Sequence, residues 1–287
     1  MSVKNECIIT VDIGATWTRI GQVGGNGIVS RSEKVLTPHE GFQSLIDKTH
    51  QVHEEADACI RAVVFGVPGP VDYAKHRVVK LPNLPRWDVE ALSTKARGSF
   101  EFPGLLANDA DLCALGEHRF GAGRDVKNMV FVSCGSGVGA GVILHGELVS
   151  SQYSLAEIGH AVIDLRSRQA VEQLGSGLAF ERLTCPAEES GAVVRDADDM
   201  PGLSGASAAF ALCVRSLALC FMPDRIVIGG GCANRHPEFF DAAREEIEQI
   251  MDILPLKPGD IVRTELGDKA NIMGGYPFWQ LSTCKRD

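Results

Sequence analysis

Between residues 130 and 144 the chain reads Val-Phe-Val-Ser-Cys-Gly-Ser-Gly-Val-Gly-Ala-Gly-Val-Ile-Leu. Two apolar, β-branched runs flank a Gly/Ser turn, the pattern of a strand pair and too glycine-rich for a helix interior. The turn is not a Walker A loop, because the Gly-Lys-Ser/Thr ending is missing, and no helix follows as a Rossmann fingerprint requires. Backbone N–H groups in such a turn can wrap a phosphate. Upstream, Asn108-Asp109-Ala110 offers an amide and a carboxylate at the start of a helix expected over residues 110–120. That pair can bind and deprotonate a hydroxyl, or Asp109 can simply cap the helix.

The same strand–turn–strand–turn–strand pattern stands near the N-terminus. Residues 7–13 read as a buried strand, residues 15–23 as a second, Gly24-Gly25-Asn26-Gly27 as a turn and residues 28–36 as a third. The later copy comprises residues 129–133, 139–144 and 147–150. Either the architecture is duplicated, one unit per domain, or two hairpins merely coincide. A length of 287 residues suits two domains. Between the copies lie a helical segment over 40–61, a strand over 62–67 ending in Pro68-Gly69-Pro70, a proline-rich loop over 81–87, a weak helix over 89–99 and a strand over 105–107. Beyond them come a strand over 161–165, a helical region from 171, a connection over 185–205 rich in Asp, Glu, Gly and Ser, a helix over 206–221, a strand over 226–231, a helix over 237–253 and a strand at 261–262.

Net charge is −9, which argues against a nucleic-acid-binding surface. No run approaches the ~20 apolar residues that span a bilayer. Met1–Glu6 has no signal-peptide pattern and leads into a strand, so a cytoplasmic location is expected, without membrane or nucleic-acid partners. The nine cysteines include no C-x-x-C pair and sit mostly in apolar runs, as reduced core thiols do.

Three turns could meet a nucleotide. Asp12-Ile-Gly14-Ala-Thr16 puts a carboxylate at a strand end, where it can hold Mg²⁺ through water, followed by a glycine and hydroxyls. A polar hairpin turn is the plainer reading of it. Ser133–Gly139 is the second turn, and Gly229-Gly230-Gly231 after a strand is the third.

The order of these pieces resembles the sugar kinases of the ROK family, within the actin-like/hexokinase ATPase superfamily. The resemblance rests on Asp12-x-Gly14-x-Thr16-x-x-Arg19, Gly66-x-Pro68-Gly69, Pro82-Asn83-Leu84, Asn108-Asp109-Ala110, Gly135-Ser-Gly-Val-Gly-Ala-Gly141, Glu157-x-Gly159-His160, Glu172-x-x-x-Ser176-Gly177 and Ile228-Gly-Gly-Gly231. It implies an α/β fold of two ribonuclease-H-like domains flanking a cleft. The expected division is residues 1–115, with 272–287 returning to them, and residues 116–271. It implies ATP and Mg²⁺ as cofactors and transfer of phosphate to the 6-hydroxyl of an aldohexose. Asp109 would be the general base; Gly69, Asn83, Asn108, Glu157, His160 and Glu172 would meet the sugar, with Gly69 letting it approach the backbone. Asp12, Gly14, Thr16, Gly135, Ser136, Gly137 and Gly139 would hold the Mg²⁺ and phosphates, and Gly229, Gly230 and Gly231 would lie near the adenosine. Family members commonly form dimers, so a homodimer stays open. Glucose, allose, mannose and N-acetylmannosamine all remain candidates.

The chain departs from the family pattern in three places. Residues 161–173 contain no cysteine where most members carry a zinc loop, so no zinc site is expected. Met273-Gly-Gly-Tyr-Pro-Phe-Trp279 replaces a small-residue helix, which leaves its packing undefined. No helix-turn-helix precedes the first strand, which disfavours a repressor. A sugar-sensing regulator without kinase activity, and an acetate-kinase-like or chaperone-like ATPase, are the competing classes.

Overall fold

The computed structural model describes residues 6–56, 58–184, 203–254 and 256–284. Its first half is built on β1 (Glu6–Ile13), β2 (Trp17–Gly24) and β3 (Val29–Leu36), followed by α1 (Gln43–Glu54) and β4 (Cys59–Val67). The short strands β5 (Val71–Asp72) and β6 (Arg77–Val78), α2 (Val89–Gly98) and β7 (Gly104–Asn108) complete it. The sheet order is β3-β2-β1-β4-β7. β1 runs antiparallel to β2 and parallel to β4, and β7 runs parallel to β4. Sequence explains the positions: β1 is buried along nearly its whole length and lies centrally, whereas β3 alternates between half-buried and exposed residues and forms the edge. The β2–β3 turn is possible because Gly27 takes φ 77°. Asp88 starts α2 by accepting from the N–H groups of Glu90 and Ala91.

The second half repeats the plan. α3 (Asp109–Phe120) leads to β8 (Met129–Cys134), β9 (Val138–Leu144) and β10 (Glu147–Leu148), then to α4 (Val171–Gly175), α5 (Gly177–Thr184) and α6 (Leu203–Phe221). β11 (Arg225–Gly229), α7 (Gly231–Arg235), α8 (Pro237–Glu248), β12 (Ile261–Arg263) and α9 (Ala270–Cys284) follow. The sheet order is β10-β9-β8-β11-β12, with β8 antiparallel to β9 and parallel to β11. Each sheet thus carries three antiparallel strands and then two parallel ones, so the recurrence seen in the sequence is carried by both sheets.

α3 and α9 lie between the sheets. α3 packs on β8 and β9, α9 on β1, β2 and β4, and the two helices on each other. Their contact is close because it is made through glycine. A Cβ on Gly274 would stand 1.8 Å from the Leu112 carbonyl oxygen, and one on Gly116 would stand 2.1 Å from that of Ala270. A shared core of Ile8, Val64, Leu112, Phe131, Ile272 and neighbours fills this middle layer. Separate cores back each sheet, the first under α1 and α2, the second under α6 and α8.

Two sequence expectations change. Residues 273–279 lie inside α9, a buried helix that tolerates Pro277 in its interior. Residues 161–165 form no strand; only Val162 makes an isolated bridge, to Ala170. The expected division at 115/116 falls within α3. Of the connection at 185–205, residues 185–202 lie outside the described residues and Leu203 already begins α6.

Candidate active site

β7 delivers Asn108 and Asp109 to the start of α3. Asn108 is the cap: its Oδ1 accepts from the N–H groups of Ala110 at 2.9 Å and Asp111 at 3.2 Å, and its Nδ2 donates to the Gly69 carbonyl at 3.2 Å. Capping by Asn108 releases the Asp109 carboxylate from that task. Asp109 Oδ1 accepts from the Ala110 N–H at 2.9 Å, and its carbonyl accepts from Asn271 Nδ2 at 3.3 Å. Burial, then the charge of Asp12, pushes the Asp109 carboxyl up to about 7. A carboxylate in that range is suited to accept a proton near neutral pH.

The turn after β1 holds Asp12, Gly14 and Thr16. Gly14 N–H donates to the Trp17 carbonyl at 3.0 Å, Thr37 Oγ1 donates to the Gly14 carbonyl at 2.7 Å, and Thr37 N–H donates to Thr16 at 3.0 Å. Asp12 stands opposite Arg19 in the β1–β2 ladder, and the guanidinium lies 3.5 Å from its carboxylate. Arg19 also bonds Asp268. Burial raises the Asp12 carboxyl to about 6, with Arg19 opposing the rise and Asp268 adding to it. Asp12 offers one hard oxygen of the kind Mg²⁺ takes, which suits an ion held through water rather than in an all-protein cage.

The second turn is closed by the Gly135 N–H donating to Gly137 at 2.9 Å and the Gly177 N–H donating to Gly135 at 2.7 Å. Ser136 projects into solvent at its tip. The glycines beyond it serve packing as well. A Cβ on Gly139 would lie 3.4 Å from the Ala110 Cβ, and one on Gly141 would lie 2.5 Å from the Ala110 carbonyl. The β8–β9 hairpin therefore rests directly on the helix that carries Asp109. In the third turn Gly230 takes φ 93° against the Cys134 backbone, and Gly231 opens α7. Gly229 does not line the cleft: it ends β11 and faces the Phe131 ring and Thr264.

On the opposite wall, a turn over Ile158–His160 carries Glu157 and His160, and α4 carries Glu172. His160 Nδ1 lies 3.4 Å from Glu172 Oε1. Glu157 Oε1 is buried without a hydrogen-bond partner. Burial raises the Glu157 carboxyl, opposed by His160 and helped by Glu172. An oxygen of this kind can take part in a hydrogen bond with a group entering the cleft. Glu172 Oε2 also lies 3.0 Å from where a Gly137 Cβ would stand, so it touches the phosphate-type turn. Gly69 lines the cleft and also has a packing role, because a Cβ there would lie 2.3 Å from the Lys80 carbonyl.

These residues line one cleft of about 660 Å³. Asp12, Gly14, Thr16, Gly69, Asn83, Asn108, Asp109, Gly135, Ser136, Gly137, Gly139, Glu157, His160, Glu172, Gly230 and Gly231 all reach it. It also takes in Lys34, Asp268 and Asn271, to which sequence reasoning assigned no role. Arg19, part of the sequence motif but without an assigned role there, also lines the cleft and pairs with Asp12; Asp268 and Asn271 carry no motif.

Fold and cleft together define an α/β protein with one polar cleft that gathers three glycine-bearing turns and several carboxylates. The chain belongs to the ROK family, whose profile matches residues 8–281. It is 26% identical over 307 aligned residues to a glucokinase of Streptomyces coelicolor, covering 93% of this chain and 95% of that one. A Thermotoga maritima glucokinase is 26% identical over 303 residues, with the same coverages of 93% and 95%. The crystal structure of a ROK family glucokinase from Streptomyces griseus, in complex with glucose and AMPPNP, superimposes with a TM-score of 0.76 at 24% identity, covering 95% of this chain and 98% of that one.

Proposed function

We propose that the chain is an ATP-dependent hexose kinase that phosphorylates an aldohexose of the glucose, allose or mannose type at the 6-hydroxyl. The observation carrying this reading is the position of Asp109. Its helix abuts the Gly135–Gly139 hairpin on one side, and its cleft is shared with Asn83, Glu157, His160 and Glu172 on the other. In this reading Asp109 accepts the proton of the attacking hydroxyl, and Asn108, Asn83, Glu157, His160 and Glu172 hold the remaining sugar hydroxyls in fixed directions. The turns at Gly14–Thr16 and Gly135–Gly139 receive the phosphates, and Gly230–Gly231 borders the adenosine. Mg²⁺, held by Asp12 through water, would neutralise charge on the transferring phosphoryl group.

The matching strand orders support two ribonuclease-H-like domains flanking the cleft. Since α3 lies on the second sheet and α9 on the first, we set their boundary at the start of α3, with α9 returning to the first domain. Sugar binding would close the domains and exclude water from the phosphoryl group. A cytoplasmic reaction supplied with cellular ATP accords with this, and among the described residues no helix is long and apolar enough to cross a membrane.

The test is a coupled ADP-release assay over glucose, allose, mannose and N-acetylmannosamine, with wild type and Asp109→Asn. Turnover should fall by about 10²–10⁴-fold in the variant while hexose affinity is retained. Unchanged turnover removes Asp109 as base. Hexose binding without ADP release by wild type would instead make the chain a sugar-sensing regulator.

A further inference from the structure

Two residues outside the cleft tie its walls together. The chain leaving Pro68-Gly69-Pro70 runs alongside residues 152–154, which lead into Glu157. Val71 N–H donates to Ser154 Oγ at 3.0 Å, Ser154 N–H donates to the Val71 carbonyl at 2.9 Å, and Tyr73 N–H donates to the Gln152 carbonyl at 2.7 Å. Asp72 and Tyr153 form a bridge between these hydrogen bonds. The Tyr73 ring packs on Phe278 of α9, with centroids 5.7 Å apart. Its hydroxyl donates to Asp111 Oδ2 at 2.6 Å and accepts the Asn108 N–H at 3.2 Å. One hydroxyl thus grips α3 on both sides of Asp109.

Asp111 is buried, and its Oδ1 has no hydrogen-bond partner. Glu117 on the same helix is the instructive contrast. It too is buried, but its oxygens accept from Thr264 Oγ1 and from the N–H groups of Ala122, Glu265 and Leu266. A carboxylate kept only to hold the fold is satisfied in this way, whereas a half-satisfied buried one is costly and calls for another role. Among the described residues, Tyr73 is the side chain that donates a hydrogen bond to the Asp111 carboxylate.

We propose that Tyr73 and Asp111 are positioning residues: the Tyr73 hydroxyl sets the start of α3, and so the Asp109 carboxylate, in register with the wall that carries Glu157. This deepens the hexose-kinase reading and rests on it. Tyr73 is anchored to residues 152–154, so hydrogen bonds tie the base to the sugar wall, whereas the Gly135–Gly139 turn meets the start of α3 through van der Waals contact of Gly139 with Ala110. The pair therefore acts on the hexose side of the reaction.

Tyr73→Phe removes the hydroxyl and keeps the ring on Phe278. Asp111→Asn keeps an acceptor for Tyr73, and Asp111→Ala does not. Steady-state kinetics with hexose and MgATP, alongside melting temperatures, separate the possibilities. Tyr73→Phe and Asp111→Ala should lower kcat about 10-fold or more and raise hexose KM several-fold, in keeping with the cost of small misplacements of a catalytic group. KM for MgATP should stay within about 2-fold, and Asp111→Asn should recover most of kcat. Folded Tyr73→Phe with wild-type kcat and hexose KM overturns the proposal. So does an Asp111→Asn as impaired as Asp111→Ala, or a loss confined to melting temperature. A wild-type chain that turns over no hexose fails the kinase reading and takes this inference with it; an active wild type with unaffected variants removes the pair alone.

Discussion

Arg19 faces Asp12 across the β1–β2 ladder, its guanidinium 3.5 Å from the carboxylate, and reaches Asp268 with its other nitrogen. Through Arg19 the turn after β1 is tied to a segment more than two hundred residues later in the chain. Arg19 opposes the burial that raises the Asp12 carboxyl to about 6. Removing it should make Asp12 harder to ionise and harder for Mg²⁺ to use. In Arg19→Met the Mg²⁺ concentration for half-maximal ADP release should rise, and more steeply at pH 6.5 than at pH 8. An Mg²⁺ dependence identical to wild type at both pH values refutes the coupling.

If Asp109 is the base proposed above, its raised carboxyl links catalysis to stability. Its carboxyl is raised from 3.8 to about 7, so the folded chain holds that proton more tightly than the unfolded chain. The stability it lends is therefore present below pH 3.8 and is lost as pH rises to about 7. Above that, the ionised group costs the fold. Asp109→Asn should melt higher than wild type at pH 8 by about 1–2 kcal/mol of stability, after discounting for solvent screening in an open cleft. That corresponds to about 2–8 °C. The difference should shrink at pH 5, and a melting difference independent of pH contradicts the assignment.

The same shift bears on activity. Proton abstraction needs ionised Asp109, so kcat/KM for the hexose should fall on the acid side with a midpoint at or below about 7. A Mg²⁺ held near Asp12 would offset one cause of the rise and draw the midpoint down. A limb at the ordinary carboxylate value near 4 would mean that burial does not govern Asp109 in the working enzyme.

The α3–α9 contact predicts a structural lesion. Gly274 has no room for a Cβ, which would stand 1.8 Å from a backbone oxygen that cannot rotate away. Gly274→Ala should cost about 1–3 kcal/mol by overpacking and lower the melting temperature accordingly. Gly259→Ala, where a Cβ meets nothing within 4 Å, is the control and should melt near wild type. Equal melting of the two variants would show that the helices can part without penalty.

Metal content is a separate check. Residues 161–173 carry no cysteine to complete a tetrahedral zinc site beside His160. Elemental analysis of the purified chain should find no stoichiometric zinc, and chelator treatment should leave its melting temperature unchanged. One tightly bound zinc per chain is the opposing result.

Much of this protein was legible before its fold was seen, and the legible part is local. Alternation and β-branched runs placed β1, β2, β8 and β9, because a strand's burial pattern is written in consecutive residues. The Gly/Ser turns and the helix start at Asn108-Asp109 were readable because turn and cap chemistry span only a few positions. The helix α9 was not, since Gly274, Gly275 and Pro277 argue against helix by intrinsic preference. It forms because those glycines let it approach Leu112 and Thr10, residues far away in the chain.

The sequence by itself determined which side chains could bind, ionise and turn: Asp12, Asn108, Asp109, Glu157, His160, Glu172 and the glycine turns. Tertiary structure decided which of them meet. It turned Gly229 away from the cleft, assigned the cap to Asn108 rather than Asp109, and gave Gly69 and Gly141 packing roles beside carbonyl oxygens. It also brought in Asp268, Asn271, Tyr73 and Asp111, whose roles depend on partners that no local pattern names. Hydrogen bonds and burial depend on distance in space, and between residues 12 and 268, or 73 and 111, only the folded chain sets that distance.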